Sequence, residues 1–404
     1  MSNRREFIGK MIGGAASGLA SSRVLGANDR IRIGLIGAGD RGTEIVQAAR
    51  RCQNVEAVAA ADVYTRRLDR VRDAVPGIRV YNDFRRLLDD KTIDAVLIAT
   101  PQHQHVLNFV PAIQAGKDVY QEKTMALNLD HAKRMRKAWM GSGRVVQIGI
   151  QITSGEGLRQ VQELIKAGRV GVVTALQTYH YRNSPHGGWL RRIPTDCDAE
   201  HVDWPAFEGE APHYPFDPQR YMNWRFFWEY DGSNVFENMV HQVGFWYKAL
   251  GLSIPEQVTM TAANYLSPKM EMPDTFNVCM AQPEKLLFSW ISMFGNDYYR
   301  EGHDMLFGNR GAVIHNQADE TFYLPQNGQP LEKQQAIEAA PTPKRYREVT
   351  GQHMQNFFDC MRSRSEPNCP FEIGFRSAIA CQMAITSYRQ QRVVKWNPAT
   401  EEIV

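Results

Sequence analysis

Short apolar runs alternate with amphipathic stretches from residue 31 to about residue 150. Four of these apolar runs are predicted to be buried strands: Ile31–Ile36, Val55–Ala61, Ala95–Ala99 and Val145–Ile148. The intervening stretches place apolar residues at helical spacing and are predicted to be helices: Thr43–Arg51, Phe84–Asp90, His105–Ala115 and Leu127–Ser142. Strands and helices that alternate at this spacing predict a parallel sheet with helices on both faces.

The pattern changes after Gln151. The apolar runs become longer and partly alternating, which is typical of an antiparallel sheet with one solvated face. These runs are Val172–Tyr181, Glu256–Tyr265, Lys285–Met293 and Gly311–His315, and two helices are predicted later, at Gly351–Cys360 and Ile373–Arg389. We therefore predict an α/β protein with a doubly wound parallel sheet at 28–150 and an α+β domain with an open, mostly antiparallel sheet at 151–404. The C-terminal helices, at about 351–390, are expected to pack back on the first domain.

A glycine-rich turn, Gly37-Ala38-Gly39-Asp40-Arg41-Gly42, follows the first predicted strand. Gly37 allows a tight turn, Gly39 lets the backbone approach a pyrophosphate, and Gly42 permits close packing of helix on strand. The N-terminus of the following helix attracts the anion. Asp62 comes at the end of the second strand, where an acidic residue binds ribose hydroxyls. In this context the pattern predicts a dinucleotide site, in preference to a structural turn without a ligand.

Asp62 also bears on which dinucleotide is bound. Its carboxylate accepts hydrogen bonds from ribose hydroxyls and repels a 2′-phosphate, which favours NAD over NADP. Arg66 and Arg67 follow closely and offset part of that repulsion. The expected cofactor is NAD, with NADP less favoured.

Three further motifs indicate the kind of protein. They are Thr100-Pro101-Gln102-His103-Gln104-His105, the stretch from Ala115 to Lys123 (AGKDVYQEK) and the stretch from Asp231 to His241 (DGSNVFENMVH). Together with the glycine-rich turn they resemble the Gfo/Idh/MocA oxidoreductase family, whose members carry TPxxxH, AGKxVxxEKP and a glycine-rich turn followed by DxxxH at these places. The resemblance covers essentially all of the chain after residue 27. It implies an NAD(P)-binding Rossmann domain and an oxidoreductase activity.

The resemblance also implies roles for single residues. Lys123 matches the family's lysine, which lies beside the nicotinamide ring and the reacting hydroxyl. Because a cationic ring disfavours the ammonium form of a neighbouring lysine, Lys123 is expected to take the hydroxyl proton. His241 and Glu237 share one predicted helix face and are expected to complete the catalytic group. The residues expected at the cofactor are Gly37, Gly39, Asp40, Arg41, Gly42, Asp62, Arg66, Thr100, Pro101, His105, Glu122 and Lys123.

The chain departs from the family pattern at two positions. Thr124 stands where the family has a proline after the lysine, and Glu237 stands where the family has an aspartate. Because a cis bond before threonine costs about 3 kcal/mol, a trans bond and a differently shaped lysine loop are expected. The longer side chain of Glu237 is expected to change which sugar hydroxyl it engages. His103 points away from His105 on a helix and is expected to be structural.

Residues 182–230, which we call the insert, are rich in aromatic residues and prolines and show little helical periodicity. Two interpretations are open. The aromatic rings either stack on sugar faces while polar groups bind hydroxyls, or they pack on one another as a structural lid. The candidate substrate residues in and beside the insert are Tyr181, Arg182, His186, Trp224 and Trp228.

The excess of basic residues lies in the first 27 residues. The whole chain has 47 Lys and Arg against 44 Asp and Glu, and residues 1–27 hold four of the bases and one of the acids. The pair Arg4-Arg5, a mild apolar run from Met11 to Ala20 and an end at Gly26-Ala27 resemble a twin-arginine export signal. This pattern predicts a periplasmic or otherwise exported protein that meets the twin-arginine export machinery. The alternative is a disordered basic tail on a cytoplasmic enzyme.

Composition excludes several other classes of protein. A hydrophobic fraction of 43% with 23% charged residues is typical of a globular enzyme and excludes a disordered chain, a collagen and a coiled coil. The near-neutral body gives no basis for nucleic-acid binding, and no stretch reaches the ~18 apolar residues of a membrane span. The 6 cysteines lack metal-ligand spacing, so no metal is expected. A disulfide between Cys360 and Cys369 and free buried thiols both remain open.

These observations predict an exported NAD(H)-dependent oxidoreductase that acts on a hydroxyl of a sugar or glycoside, as a homodimer or homotetramer. Because free NAD is scarce outside the cytoplasm, the cofactor is expected to be exported in bound form and regenerated in each cycle. One alternative is a redox-neutral glycoside hydrolase that oxidises a ring hydroxyl, eliminates the aglycone, adds water and reduces the ring again. A second alternative is a nucleotide-binding protein without catalysis.

Overall fold

Two sheets packed against helices account for most of the described part of the chain. The computed structural model describes residues 30–297, 303–316, 319–326, 332–333 and 346–404. The predicted export signal at 1–27 lies outside the described residues.

The first sheet is parallel throughout. Its strands are β1 (Ile31–Ile36), β2 (Val55–Ala61), β3 (Arg79–Tyr81), β4 (Ala95–Ile98), β5 (Asp118–Gln121) and β6 (Val146–Ile148). Over residues 31–148, which are described without a gap, the strand order is β3-β2-β1-β4-β5-β6. The helices between the strands are α1 (Asp40–Arg50), α2 (Thr65–Ala74), α3 (Phe84–Leu88), α4 (His105–Gln114) and α5 (Leu129–Trp139). The order reverses between β1 and β4, and ligands bind open α/β sheets at such a point.

Successive residues of β4 enter different apolar cores. Ala95 and Leu97 belong to one buried cluster, and Val96 and Ile98 belong to another. Because side chains alternate along a strand, the first sheet is buried on both faces. The predicted doubly wound parallel sheet is confirmed.

The second sheet is mixed and mostly antiparallel. Its strands are β7 (Val173–Asn183), β8 (Gln257–Ala263), β9 (Thr275–Ala281), β10 (Leu287–Met293), β11 (Gly295–Asn296), β12 (His303–Gly308), β13 (Gly311–Asn316), β14 (Thr321–Pro325), β15 (Glu332–Lys333), β16 (Val394–Asn397) and β17 (Glu402–Ile403). The order is β15-β14-β13-β12-β7-β10-β9-β8-β16-β17, with β11 paired to β7. Among the described strand pairs of this sheet, β7 and β10 are parallel and the others are antiparallel. This agrees with the predicted open, mostly antiparallel sheet.

Helices of the second half connect the two sheets. They are α6 (Glu156–Lys166), α7 (Trp204–Glu208), α8 (Pro218–Met222), α9 (Val240–Leu250), α10 (Tyr346–Ser363) and α11 (Phe371–Gln390). A π-helical turn, Val235–Met239, leads directly into α9. From α10, Met354, Phe357 and Phe358 enter the apolar core that covers one face of the first sheet. The C-terminal part of the chain therefore contributes to the core around that sheet.

The cysteines are all described, and each is a free thiol. Cys360 and Cys369 are buried and do not form the disulfide that the sequence left open. Within the described ranges, no helix is both long and apolar enough to cross a bilayer.

Candidate active site

The glycine-rich turn lies between the end of β1 and the start of α1. Gly37 has a φ of +91°, and a Cβ atom on Gly42 would lie 1.8 Å from the carbonyl oxygen of Gly37. There is therefore no room for a side chain at Gly42, where the helix packs against the turn. A Cβ atom on Gly39 would meet nothing nearer than Arg67, at 3.8 Å. Backbone on this side of the turn is open to a ligand, which suits a pyrophosphate at the N-terminus of α1.

Asp62 follows β2 and lies against the turn. Its Oδ2 accepts a hydrogen bond from the Ala38 N–H at 2.7 Å, and its Oδ1 accepts one from the Tyr64 N–H at 2.9 Å. The Arg67 guanidinium lies 3.9 Å from Oδ1. A carboxylate has about four acceptor positions, so Asp62 retains capacity for ribose hydroxyls.

A cavity of about 920 Å³ extends from the glycine-rich turn along the carboxyl ends of the strands. On the side of the first sheet it is lined by the predicted residues Gly37, Gly39, Asp40, Arg41, Asp62, Arg66, Thr100 and Pro101. The insert supplies the facing wall through Trp189, Arg191, Arg192, Trp224 and Arg225. The volume is within the range of cofactor sites, and the open glycine turn with the adjacent carboxylate fits a dinucleotide.

The insert is fastened to the first sheet just after β2. The Asp203 N–H donates to the Val63 carbonyl at 2.9 Å. The Tyr64 hydroxyl donates to Asp196 at 2.8 Å, and the Arg66 guanidinium binds the same carboxylate at 3.0 Å. Arg66 is therefore engaged with the insert at the edge of the cavity.

A second attachment joins the insert to the start of α4. The Nε2 atoms of His103 and Gln104 lie 2.6 Å and 2.5 Å from the carbonyl oxygen of Phe207. Behind it, buried aromatic rings pack on one another, namely Tyr64, Trp204, Phe207, Tyr221, Trp224 and Tyr230. Most aromatic side chains of the insert therefore pack on one another. This agrees with the interpretation of the insert as a structural lid.

The lysine loop follows β5, and its shape differs from the sequence expectation. The Lys123–Thr124 peptide bond is cis, so the expected trans bond is wrong. The Thr124 hydroxyl donates to the Phe236 carbonyl at 2.7 Å, and the Thr124 carbonyl lies 2.8 Å from Nδ1 of His105. These contacts join residues that are far apart in the chain, so no local pattern predicts them.

Glu237 is the centre of the polar network at the lysine. Its Oε2 accepts a hydrogen bond from Lys123 Nζ at 2.9 Å, and its Oε1 accepts one from Gln102 Nε2 at 2.9 Å. Arg225 Nε lies 3.2 Å from Oε1. Burial by itself raises the pKa of Glu237, but the cations Arg225 and Lys123 outweigh it and lower the pKa to about 2. Glu237 is therefore an anion that holds Lys123 in place.

His241 lies one helical turn after Glu237. Its side chain is partly exposed, whereas its Nδ1 atom is buried and has no hydrogen-bond partner among the described residues. The surrounding protein and the cations Lys123 and Arg41 lower its pKa well below 6.5, so the imidazole is neutral. It offers one donor and one acceptor to a ligand.

Arg41 and Glu122 were predicted separately and bind each other. Arg41 Nε donates to Glu122 Oε1 at 2.8 Å, and Gln151 Nε2 lies 3.2 Å from the same oxygen. Glu122 Oε2 also accepts from the Lys123 N–H at 3.3 Å. The Arg41–Glu122 pair thus joins the glycine-rich turn to the lysine loop.

His105 does not line the cavity. Its ring nitrogens lie 2.9 Å from the Thr100 carbonyl oxygen and 2.8 Å from that of Thr124, and the residue is 1% exposed. The predicted contact with the cofactor is therefore replaced by a contact with the backbone on both sides. His105 positions the lysine loop.

The candidate substrate residues are not all brought together. Trp224 lines the cavity. Arg182 binds Asn238 Oδ1 at 3.2 Å, next to Glu237, whereas Tyr181 lies on the opposite face of β7 because side chains alternate along a strand. His186 packs near Phe226 with ring centroids 5.6 Å apart, and Trp228 packs against Tyr388 and Arg389. The ring contacts of His186 and Trp228 thus involve residues other than Lys123, Glu237 and His241, and a role of these candidates in substrate binding stays a prediction.

Comparison with protein families agrees with the fold that the structure shows for the first sheet. Residues 31–150 match the model described as "Oxidoreductase family, NAD-binding Rossmann fold", the NAD-binding part of the Gfo/Idh/MocA family. Residues 31–150 are therefore similar to the NAD-binding part of the Gfo/Idh/MocA family. The match supports the resemblance inferred from the three motifs that lie in this part of the chain.

Curated relatives extend the similarity only slightly further. An inositol 2-dehydrogenase of Klebsiella pneumoniae (strain 342) is 32% identical over 163 residues, which cover 38% of this chain and 47% of that protein. A glycosyl hydrolase family 109 protein of Stenotrophomonas maltophilia is 29% identical over 186 residues, 43% of this chain and 41% of that protein. The chain thus spans about half the length of the curated relatives it matches.

Solved structures match over both sheets. A levoglucosan dehydrogenase in complex with NADH and levoglucosan superimposes with a TM-score of 0.72 over 91% of this chain and 99% of that chain, at 16% identity. At this identity the similarity establishes the fold. The shared fold therefore includes the mixed sheet as well as the parallel sheet.

Sequence reasoning missed several polar residues of the site. They are Gln102, His180, Arg225 and Asp231. Gln102 and Asp231 were inside the quoted motifs, but nothing in a motif shows which side chains are buried together. His180 lies beside Arg182, whose guanidinium is 3.3 Å from its Nε2 atom. Arg225 comes from the insert, where no periodicity indicated its direction.

Proposed function

We propose that the protein is an NAD(H)-dependent oxidoreductase that acts on a hydroxyl group of a sugar or glycoside. The observation that carries the proposal is the Lys123–Glu237 ion pair beside a cleft whose glycine turn and Asp62 suit a dinucleotide. The similarity of the first half to an inositol 2-dehydrogenase supports a polyhydroxylated substrate.

The residues of the network have distinct roles in this proposal. NAD, when bound, would supply the acceptor for the hydride of the substrate's carbinol carbon. Lys123 takes the proton of the hydroxyl on that carbon, because the cationic nicotinamide ring disfavours its ammonium form. Glu237 orients Nζ and, because its pKa is low, does not compete as a base. The neutral imidazole of His241 offers a hydrogen bond to the reacting oxygen.

Two features of the cleft bear on the choice of cofactor. Asp62 stands beside the glycine-rich turn, where a 2′-phosphate would meet a carboxylate. Arg66 is bound to Asp196, and Arg67 lies between Asp62 and the ring of Tyr221. Both arginines therefore have anionic or aromatic partners of their own, which supports the proposed preference for NAD over NADP.

We extend the proposal to a cofactor that is retained and recycled. The insert walls the cleft opposite the first sheet and is attached both after β2 and before α4. Release of a dinucleotide from under it requires some of these contacts to open, which slows exchange. Retention suits an exported enzyme, and export is proposed from the twin-arginine pattern in residues 1–27.

A redox-neutral glycoside hydrolase is the second candidate. The observation that favours it is the similarity of the first half to a protein named as a member of glycosyl hydrolase family 109. A recycled cofactor suits this reaction, in which a ring hydroxyl is oxidised and later restored. The third possibility is nucleotide binding without catalysis. It does not explain why a buried Lys123–Glu237 pair lies beside the cleft.

We also propose that the protein forms a homo-oligomer through the outer face of its mixed sheet. Half-buried apolar side chains on this face alternate with buried ones, and they include Tyr179, Tyr181, Ile291, Met293, Met305, Phe307, Ile314, Phe322 and Leu324. A continuous apolar face of this kind favours association with a second copy. Light scattering on the purified protein tests this, and a monomer at all concentrations contradicts it.

One experiment separates these functions. The protein is purified from the exported fraction without added nucleotide, weighed by native mass spectrometry and then incubated with polyols, aldoses and nitrophenyl glycosides. Reduction of bound NAD by a polyol or aldose supports the oxidoreductase, and release of nitrophenol without net reduction supports the hydrolase. Bound nucleotide with neither reaction contradicts both enzymatic proposals. A protein without nucleotide that exchanges NAD freely contradicts retention.

A further inference from the structure

A buried carboxyl group without a side-chain hydrogen-bond partner lies beside the Lys123–Glu237 pair. Asp231 is 1% exposed, and among the described residues the N–H of the adjacent Gly232 is the one hydrogen-bonding group near its oxygens. The charged groups that face it are Glu237, Arg225 and Lys123. Burial, reinforced by the anion Glu237, raises the pKa of Asp231 well above its ordinary value. This shift favours the protonated carboxyl, which offers one donor and one acceptor to a ligand.

Other buried aspartates of the protein are hydrogen-bonded. Asp304 is the best match, because burial also raises its pKa, to about 7. Its Oδ2 accepts from Trp246 Nε1 at 2.7 Å, and its Oδ1 accepts from Gln242 Nε2 at 2.5 Å. Asp231 has no such partners. Buried polar groups in native proteins are nearly always paired, so an exception next to a reactive lysine points to a ligand.

The turn that carries Asp231 holds a second unpartnered oxygen. Ser233 is 0% exposed, has a φ of +60°, and its Oγ atom also lacks a partner among the described residues. Gly232 between them has no room for a side chain, since a Cβ atom there would lie 2.3 Å from the ring of Phe236. The turn thus presents two buried polar side chains, one on each side of Gly232.

We propose that Asp231, with Ser233, binds a second hydroxyl group of the substrate, adjacent to the hydroxyl whose proton Lys123 takes. The inference rests on the proposed polyol or sugar substrate. A carboxyl group that both donates and accepts matches a hydroxyl, which does the same. A site built in this way discriminates strongly against an analogue that lacks the hydroxyl, because the buried polar group is then left unpaired. Asp231 is thus a specificity residue for a vicinal diol.

The test compares binding of hydroxylated polyols with binding of their deoxy analogues. The probes are myo-inositol, D-glucose and levoglucosan, each with its monodeoxy derivatives, added to the NAD-saturated protein. Binding is measured by calorimetry and by the shift in Tm, so that the readout does not need turnover. The wild type is expected to bind one hydroxylated probe about tenfold or more tightly than its analogue deoxygenated next to the reacting carbon.

Three variants assign this discrimination to the turn. In Asp231→Leu the discrimination is expected to fall to about onefold, and in Asp231→Asn, which keeps a donor and an acceptor, it is expected to persist. Wild-type binding is expected to weaken at alkaline pH as Asp231 ionises, whereas Asp231→Asn binding stays constant. Ser233→Gly removes the second oxygen at a position whose φ suits glycine, so it is expected to fold and to bind the hydroxylated probe more weakly.

The matched control is Asp304→Asn, which changes a buried aspartate whose oxygens are already bonded. It is expected to leave the discrimination unchanged. Full discrimination in Asp231→Leu and in Ser233→Gly would overturn the inference, as would the absence of binding of every probe to the wild type. Binding with discrimination but without reduction of NAD would instead overturn the proposed oxidoreductase and leave the role of Asp231 standing.

Discussion

Lys123 and Glu237, 114 residues apart in the chain, form an ion pair with an Nζ–Oε2 distance of 2.9 Å. Both side chains are largely buried, with 13% and 8% of their surfaces exposed. Removal of one partner from a buried pair leaves an uncompensated charge. It usually lowers the free energy of unfolding more than replacement of both partners does. The pair therefore joins the Rossmann sheet to the turn before α9 and places the amine of Lys123 beside the cleft.

Replacement of this lysine is the first prediction. Lys123→Ala is expected to lower kcat by about 10²–10⁴-fold, the usual contribution of a positioned acid or base. NAD is expected to stay bound, because the glycine-rich turn and Asp62 hold it without help from Lys123. Steady-state kinetics and native mass spectrometry measure the two quantities. The control is Lys133→Ala, which removes a partly exposed lysine paired with Glu402. An equal loss of kcat in both variants would exclude Lys123 from the chemistry.

Cofactor preference is expected to depend on Asp62. Asp62→Ser removes the carboxylate that repels a 2′-phosphate and one acceptor for the Ala38 N–H. The Kd for NAD is expected to rise about tenfold or more, and the Kd for NADP to fall, since specificity is a difference between two affinities. Fluorescence titration with both nucleotides measures the ratio. Asp69→Ser on the exposed face of α2 is the control, and an unchanged ratio in Asp62→Ser contradicts the assignment.

Two glycines of the chain are expected to respond in opposite ways to alanine. In Gly42→Ala the new Cβ would lie 1.8 Å from the Gly37 carbonyl oxygen, so the turn must open and NAD binding is expected to be lost. Gly351 lies in α10, and a Cβ atom there meets nothing within 4 Å. Gly351→Ala is therefore expected to raise the free energy of unfolding by about 0.5–1 kcal/mol. Denaturant unfolding and NAD titration of both variants check the pair, and intact NAD binding in Gly42→Ala would be inconsistent with the site.

Retention of the cofactor is expected to depend on the anchors of the insert. Asp196→Asn weakens the contact that Tyr64 and Arg66 make with the insert. Dissociation of NADH is expected to become several-fold faster while kcat for a saturating substrate changes less. The control is Asp198→Asn, which alters hydrogen bonds inside the insert. Stopped-flow displacement of NADH measures the rates, and identical rates in wild type and Asp196→Asn would argue against retention by the insert.

Acid sensitivity is expected from the buried His353 of α10. Its Nε2 lies 3.0 Å from the Ile148 carbonyl oxygen, and burial lowers its pKa from 6.5 to about 3. Because the folded pKa is below the unfolded value, the unfolded chain takes up the proton first, and stability is lost as pH falls from about 6.5 to about 3. His353→Gln is expected to reduce the stability lost between about pH 7 and about pH 5 by about 2 kcal/mol.

Unfolding in denaturant at the two pH values measures the loss for His353→Gln. The exposed His303 of β12 provides the control variant, His303→Gln. An equal acid-induced loss in wild type and His353→Gln would show that other groups dominate this range.

The sequence by itself determined the features that depend on neighbouring residues. The spacing of apolar residues predicted β1, β2 and β4 to within a residue of their bounds. This was possible because the apolar pattern of a buried strand is visible in consecutive residues. Gly37 and Gly42 were identified because a tight turn with close helix packing needs glycine at those points. The very polar α2, in which Leu68 and Val71 are the buried residues, was missed because its apolar signal is weak.

Only the tertiary structure decided which polar groups meet and how they are paired. The motifs contained Lys123, Glu237 and Asp231. They did not show that Glu237 accepts hydrogen bonds from two side chains while the carboxyl of Asp231 has no side-chain partner among the described residues. The cis bond at Thr124 likewise lies among contacts with distant residues. Burial and hydrogen-bond pairing depend on groups more than a hundred positions apart, and the protonation of a carboxyl follows from both. The sequence thus indicated a cofactor and a lysine, and the fold decided which acid is charged and which is neutral.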